Sequence, residues 1–129
     1  MPINFSEQNG GRTVFVHAKG TLAKSDYAPC EAEFERLLAQ NGKLRMLMDL
    51  TGFHGWEADA MWEEIRFDVK HYADIERLAI VGDAKWQKAM VEFFKPFTTA
   101  TSRYFDSANA AEARKWLDET PRPSAEKPN

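Results

Sequence analysis

Short apolar runs of strand character alternate with longer segments of helical periodicity along most of this chain of 129 residues. Two strands that run parallel in one sheet need a long crossover between them, and that crossover is usually a helix. The alternation therefore predicts an α/β fold with a mostly parallel sheet. The predicted strands cover residues 3–7, 13–19, 44–50, 75–81 and 102–105.

The first two predicted strands differ from the others because only a short glycine-containing segment, Gly10-Gly11, separates them. Such a connection is typical of an antiparallel hairpin. Ser25 or Asp26 is a suitable cap for the first helix, and Asn41-Gly42 a suitable end. Together these signals predict a five-stranded sheet with an N-terminal hairpin and four helices, the last three over residues 56–72, 84–95 and 108–118.

The length and composition fit one domain, which we assign to residues 1–119, followed by a disordered tail over 120–129 that contains three prolines. The net charge of −3 argues against a nucleic-acid partner, because that function needs clustered Lys and Arg. The single cysteine excludes an internal disulfide, and the first residues lack the pattern of a signal peptide. We therefore expect a cytoplasmic protein without a transmembrane segment.

Several ordered motifs resemble the SpoIIAA-like branch of the STAS superfamily, and the resemblance extends from about Ile3 to Glu119. The motifs that carry it are Gly20-Thr21-Leu22, Leu47-Met48-Asp49-Leu50, Gly55-Trp56, Trp62-Glu63, Phe67-Asp68-Val69-Lys70-His71, Val81-Gly82-Asp83, Lys85-Trp86, Pro96-Phe97, Arg103-Tyr104-Phe105, Ala113 and Trp116-Leu117. The resemblance implies a STAS-like fold and a non-enzymatic module that binds a protein partner or a small ligand.

Signalling domains that this chain resembles carry a phosphorylatable serine just after the central strand. Here that strand is followed by Thr51-Gly52-Phe53, and Trp56-Glu57 stand near the position of the serine. The departure argues against a phosphorylation switch. Thr51 is a hydroxyl nearby, but a threonine beside glycine more often makes a hydrogen bond within its loop.

The helix predicted over 56–72 has apolar residues on two opposite faces. We expect one face to pack on the sheet, namely Ala58, Met61, Trp62, Ile65, Val69 and Tyr72. The other face carries Trp56, Ala60, Phe67 and His71, with Glu63, Glu64 and Lys70 beside them. This second face is interpreted as the contact surface of a homodimer or of a ligand. The simpler alternative is that Trp56 and Phe67 are covered by neighbouring parts of the chain.

The next helix carries an aromatic stripe formed by Trp86, Met90, Phe93, Phe94 and Phe97. The simplest interpretation is core packing. The functional alternative is a pocket near Trp56, Trp86 and Phe93 that holds a small apolar or acyl ligand. In that case Lys85 and Arg103 would hold an anionic head group.

The sequence provides little support for a catalytic site or a metal-binding site. The three histidines, His17, His54 and His71, lack the spacing of a helical metal site, so we expect no metal and no cofactor. An acid–base pair of His54 and Asp49 is the weakest hypothesis. We predict a non-enzymatic binding module that acts through protein contact, as a homodimer, with a carrier or sensor of an apolar ligand as the alternative.

Overall fold

The computed structural model describes residues 3–119, so the predicted tail over 120–129 lies outside the described residues. Within them the strands are β1 (Ile3–Gln8), β2 (Thr13–Ala18), β3 (Gly20–Leu22), β4 (Leu44–Asp49), β5 (Phe53–Trp56), β6 (Ile75–Gly82) and β7 (Thr101–Asp106). The helices are α1 (Tyr27–Asn41), α2 (Ala58–Lys70), α3 (Lys85–Phe94) and α4 (Ala110–Asp118).

Five strands form the main sheet in the order β1-β2-β4-β6-β7. The first two pair antiparallel, with Ile3 opposite Ala18, and the remaining pairs are all parallel. The predicted α/β class, the N-terminal hairpin, the five-stranded sheet and the four helices are thus confirmed.

The helices lie unequally on the two faces of the main sheet. From β2 to β7 the strand order advances in one direction, and crossovers of a single hand then place their helices on a single face. Accordingly α1, α2 and α3 share one face, where Tyr27, Ala60 and Val91 meet in one cluster. The last element of the described residues, α4, packs on the opposite face through Ala113 and Leu117.

Alternation along the central strands divides the core between these two faces. In β6 the side chains of Leu78 and Ile80 contact the three-helix side, whereas Ala79 and Val81 contact the α4 side. Two buried clusters therefore lie under the three helices and a third lies under α4.

A second, two-stranded parallel sheet joins β3 to β5, with Leu22 opposite Trp56. The sequence pattern predicts no strand over residues 51–55 and a helix that begins at Trp56. Both predictions are wrong, because β5 covers Phe53–Trp56 and α2 begins at Ala58. The pairing is short and passes through Gly55, whose φ of 119° is accessible mainly to glycine. A strand of this kind carries almost no periodic signal.

The predicted orientation of α2 was also wrong. Ala60 is 0% exposed and Phe67 packs in the core, whereas Trp62 is 71% exposed. The helix thus turns the Ala60–Phe67 side toward the sheet. The face expected to be buried points outward, with Trp62, Val69 and Tyr72 exposed. Within residues 3–119 no helix has the length and apolarity needed to cross a membrane.

Candidate functional site

An apolar cavity lies between the main sheet and the three helices on its face. Its volume is about 120 Å³, well above the roughly 15 Å³ that one water molecule requires. Its floor comes from the inward side chains of β2, β4 and β6, including Val16, Met48 and Ile80. The walls come from α1, α2, α3 and β5, and the lining extends to Lys95 and Thr98 just beyond α3.

Gln87 holds β5 in place at the edge of this cavity. Its side chain is fully buried, and its Nε2 donates hydrogen bonds to the carbonyls of Leu50 at 3.0 Å and Phe53 at 3.2 Å. Its Oε1 accepts the N–H of Asp83 at 2.9 Å. One side chain therefore satisfies three backbone groups and fixes the segment that carries Trp56 into the cavity wall.

A chain of polar groups crosses one wall of the otherwise apolar cavity. Trp56 Nε1 donates to the hydroxyl of Tyr27 at 2.6 Å, and that hydroxyl donates to Glu64 Oε1 at 2.9 Å. Glu64 in turn accepts a hydrogen bond from Asp68 when Asp68 is protonated. The indole, the phenol and the two carboxyl groups thus form a connected network inside an apolar pocket.

Burial sets the protonation of these groups. Burial, and next the charge of Glu64, raise the pKa of Asp68 from 3.8 to about 10, so its carboxyl group is neutral at physiological pH. Burial and the charge of Glu64 also raise the pKa of Tyr27 far above its ordinary range. The pKa of the Cys30 thiol rises to about 12 for the same two reasons, with Glu31 adding to them.

Four of the residues predicted to bind a ligand or partner line this cavity: Trp56, Phe67, His71 and Met90. Ala60 lies next to them in the buried core, where its small side chain lets α2 approach the sheet. Trp56, Ala60, Phe67 and His71 therefore face the interior, where Trp56, Phe67 and His71 form part of the cavity wall. The simpler alternative, in which the chain itself covers Trp56 and Phe67, is supported instead.

The other predicted residues lie away from the cavity lining. Glu63 forms an ion pair with Arg66 at 2.7 Å. Trp86 packs beside Phe53, with ring centroids 5.8 Å apart, but remains partly exposed, and Phe93 is 59% exposed. Arg103 stacks over Phe105 on the α4 side of the sheet. It therefore lies on the wrong face of the sheet to contact a head group in the cavity.

The loop after β4 does not assemble the predicted acid–base pair. Asp49 Oδ1 accepts the N–H of Thr51 at 2.9 Å, and Thr51 O lies 3.0 Å from His17 Nε2. His54 is exposed, and no hydrogen bond joins it to Asp49 within residues 3–119. Both of these contacts use the backbone of Thr51 and not its hydroxyl group.

Sequence reasoning missed the polar members of the site, which are Tyr27, Glu64, Asp68 and Gln87. Carboxylate side chains on a helix are usually solvated, which is the expectation for Glu64 and Asp68 from the sequence alone. The spacing of the two carboxylates could have indicated their place in the site. Glu64 and Asp68 lie one turn apart on α2, on the same side as Ala60 and Phe67.

The fold and the cavity define an α/β domain whose five-stranded main sheet is covered on one face by three helices, with the cavity between them. The family model described as SpoIIAA-like matches residues 13–118, and the chain belongs to this family. It is also similar in structure to an uncharacterised protein of the DUF3478 family with a SpoIIAA-like fold from Shewanella loihica PV-4. The two share 24% sequence identity with a TM-score of 0.75, over 89% of this chain and 91% of that one. No curated protein matches this chain.

Proposed function

We propose that this protein is a non-enzymatic binding module that holds a small apolar ligand in the cavity beneath α1, α2 and α3. The observation that carries the proposal is the cavity itself, whose lining is overwhelmingly apolar and which reaches partly exposed residues near Lys95. Sites of this type bind ligands through apolar walls and a few polar groups that set the orientation. Met48 and Met90 in the lining suit an adaptable fit.

The charges in the lining favour one class of head group. Three acidic residues, Glu31, Glu64 and Asp68, line the cavity, against a single lysine, Lys95, at its outer end. An anionic head group near Glu64 would lose hydration and meet a like charge. The protonated Asp68 and the Tyr27 hydroxyl instead suit a neutral head group. We therefore expect short-chain alcohols or amides, of about the size of benzene, to bind better than fatty acids of equal length.

Native mass spectrometry and thermal-shift measurements with matched alcohols, amides and fatty acids test this proposal. We expect one neutral ligand per chain and a melting temperature that rises with ligand concentration. Met90→Trp fills the cavity and should abolish both effects. Ala89→Trp adds the same bulk at an exposed neighbouring position and should leave both effects unchanged. Binding that is insensitive to Met90→Trp, or no binding at all, would contradict the proposal.

A second candidate function is self-association through the outer face of α2. Trp62, Val69 and Tyr72 are exposed there and lie on one side of the helix, which favours a contact surface. A two-fold dimer would cover this face with its own copy. Light scattering across a range of protein concentrations should show a dimer that Trp62→Asp converts to a monomer. The control Trp86→Asp, on the exposed side of α3, should leave the mass unchanged. A wild-type protein that is monomeric at all concentrations would exclude this candidate.

A further inference from the structure

Three side chains with metal-binding atoms meet where α2 ends beside α1. Glu31 and Glu35 lie one turn apart on α1, and His71 follows the last residue of α2. His71 Nε2 lies 3.3 Å from Glu35 Oε2 and 3.7 Å from Glu31 Oε2. All three candidate ligand atoms lie within 4.8 Å of one another. Two ligands of a tetrahedral zinc ion, each about 2.0–2.1 Å from the metal, are themselves about 3.3 Å apart.

His71 is held with its Nε2 directed into this cluster. Its ring packs against Phe34 and Phe67, with both centroid distances 4.8 Å, and the residue is 4% exposed. Its Nδ1 lies 2.9 Å from Asp74 Oδ2. When Nδ1 donates to Asp74, the neutral ring presents the lone pair of Nε2. A carboxylate behind a histidine in this way is the usual support of a metal-binding imidazole.

Two buried atoms at the centre of the cluster lack hydrogen-bond partners within residues 3–119. They are His71 Nε2 and Glu31 Oε2. Their nearest polar neighbours are groups of the cluster itself, since Lys70 Nζ lies 3.3 Å from Glu31 Oε2 and Glu35 Oε2 lies 3.3 Å from His71 Nε2. Because buried polar atoms are nearly always satisfied at good geometry, these two atoms are suited to a further partner. A cation bound between them would satisfy both atoms.

The ammonium group of Lys70 already shows that a positive charge fits here. Its Nζ lies 2.7 Å from Glu35 Oε2 and 3.3 Å from Glu31 Oε2. The Lys70 side chain is 51% exposed, so it can move into solvent when a stronger cation arrives. Arg66, 3.6 Å from Glu31, is the other basic group beside the cluster.

We propose that Glu31, Glu35 and His71 bind one divalent transition-metal ion of the zinc class, with water completing the coordination. The imidazole nitrogen favours such an ion over Ca²⁺ and Mg²⁺, which prefer oxygen ligands alone. The expectation of no metal rested on the spacing of the three histidines along the chain. Two of the three ligands are glutamates, and they come from a different helix.

Isothermal titration of tag-free protein with Zn²⁺ tests the site, together with visible absorption of the Co²⁺ form. We expect one ion per chain and the absorption bands of Co²⁺ bound at low coordination number. Glu35→Gln and His71→Gln should abolish binding, and Asp74→Asn should weaken it by about 10–100-fold. Lys70→Gln should tighten binding several-fold, because it removes the competing ammonium group.

Two matched controls separate this site from adventitious binding. Glu33→Gln changes an exposed glutamate on the same helix, and His54→Gln changes an exposed histidine, so neither should affect the affinity. Circular dichroism confirms the fold of each variant, and Glu35→Gln keeps the test valid if His71→Gln fails to fold. The proposal is overturned if wild-type protein binds no Zn²⁺. It is also overturned if Glu35→Gln lowers thermal stability and leaves Zn²⁺ binding intact, since His71 would then be only an ion-pair partner.

Discussion

Asp68 lies in the wall of the cavity and keeps its proton at a pH where an exposed aspartate is ionised. Its pKa of about 10 in the folded protein compares with an ordinary value of 3.8. Between these two values the folded chain keeps a proton that the unfolded chain releases. The free energy of unfolding therefore falls as pH rises, and the contribution of Asp68 is fully present only below about pH 3.8.

Replacing Asp68 by asparagine should stabilise the protein at pH 7.5, because the amide keeps the shape of the carboxyl group without its proton equilibrium. We expect a gain of about 1–3 kcal/mol, which is a fraction of the full linkage for a shift of this size. Urea unfolding of wild type and variant at pH 5 and pH 7.5 measures it, and the gain should be smaller at pH 5. Glu92→Gln, which removes an exposed ion pair with Lys95, is the control and should change stability little. Equal effects of Asp68→Asn at both pH values would contradict the assigned pKa.

Cys30 provides a chemical probe of the same wall. Its pKa of about 12, compared with an ordinary 9.0, reduces the thiolate fraction at pH 8 by about three orders of magnitude. We expect native protein to react with a disulfide reagent about 1,000-fold more slowly than a free thiol, and urea-unfolded protein to react at the free rate. The absorbance of the released thiolate follows both reactions. Rapid labelling of native protein would show that this thiol is neither buried nor raised in pKa.

At the scale of elements, Gln87 decides where β5 lies. Gln87→Leu keeps a similar volume but removes the acceptor of the Asp83 N–H and the donor to the carbonyls of Leu50 and Phe53. The carbonyl of Leu50 still accepts the N–H of Phe53 at 2.9 Å. Each buried unsatisfied group costs about 1–3 kcal/mol, so we expect a loss of roughly 2–4 kcal/mol after local relaxation. Chemical denaturation measures the loss, and Lys88→Leu, at an exposed neighbouring position, should be nearly neutral. A loss below 1 kcal/mol for Gln87→Leu would show that β5 holds its place without it.

The face of α2 that packs on the sheet could not be predicted from the hydrophobic pattern of the helix. Both faces of the helix are apolar, and the outward face carries the larger set, including Trp62 and Val69. The inward face carries Ala60, which permits close packing, together with two carboxyl groups that a hydrophobicity argument assigns to solvent. The choice depends on the network that Glu64 and Asp68 form with Tyr27, a contact between distant parts of the chain.

The main elements were predictable because each has a local signal. Asn41-Gly42 marks the end of α1, and the apolar runs of β4 and β6 lie within a residue or two of their predicted bounds. In contrast, β3 and β5 stabilise each other only through a long-range pairing, and neither is a strand in isolation. The proposed metal-binding cluster also depends on contacts between distant parts of the chain, since Glu35 and His71 meet only after α1 and α2 have packed.

At the scale of the whole molecule, the sheet separates two regions with different packing. On one side α4 closes over a compact cluster that includes Ala113 and Leu117. On the other side the cavity occupies the space between the helices and the sheet. There α1 buries Phe34 and Leu37 completely, whereas few residues of α2 and α3 are buried. These are Ala60 in α2, and Gln87 and Val91 in α3. The region that changes shape most easily is therefore the one that covers the proposed ligand site.

Hydrogen exchange followed by mass spectrometry should reveal this asymmetry. We expect the amides of α2 and α3 to exchange faster than those of β4 and β6, because local opening of the two helices exposes little buried apolar surface. A saturating short-chain alcohol should slow exchange in α2 and α3 first, because both helices line the cavity. Peptides from α4 serve as the internal control, since the sheet lies between them and the ligand. The measurement must be made under conditions where amides exchange by local opening. If the ligand then slowed exchange in α4 as strongly as in α2, the ligand would be bound at a site other than this cavity.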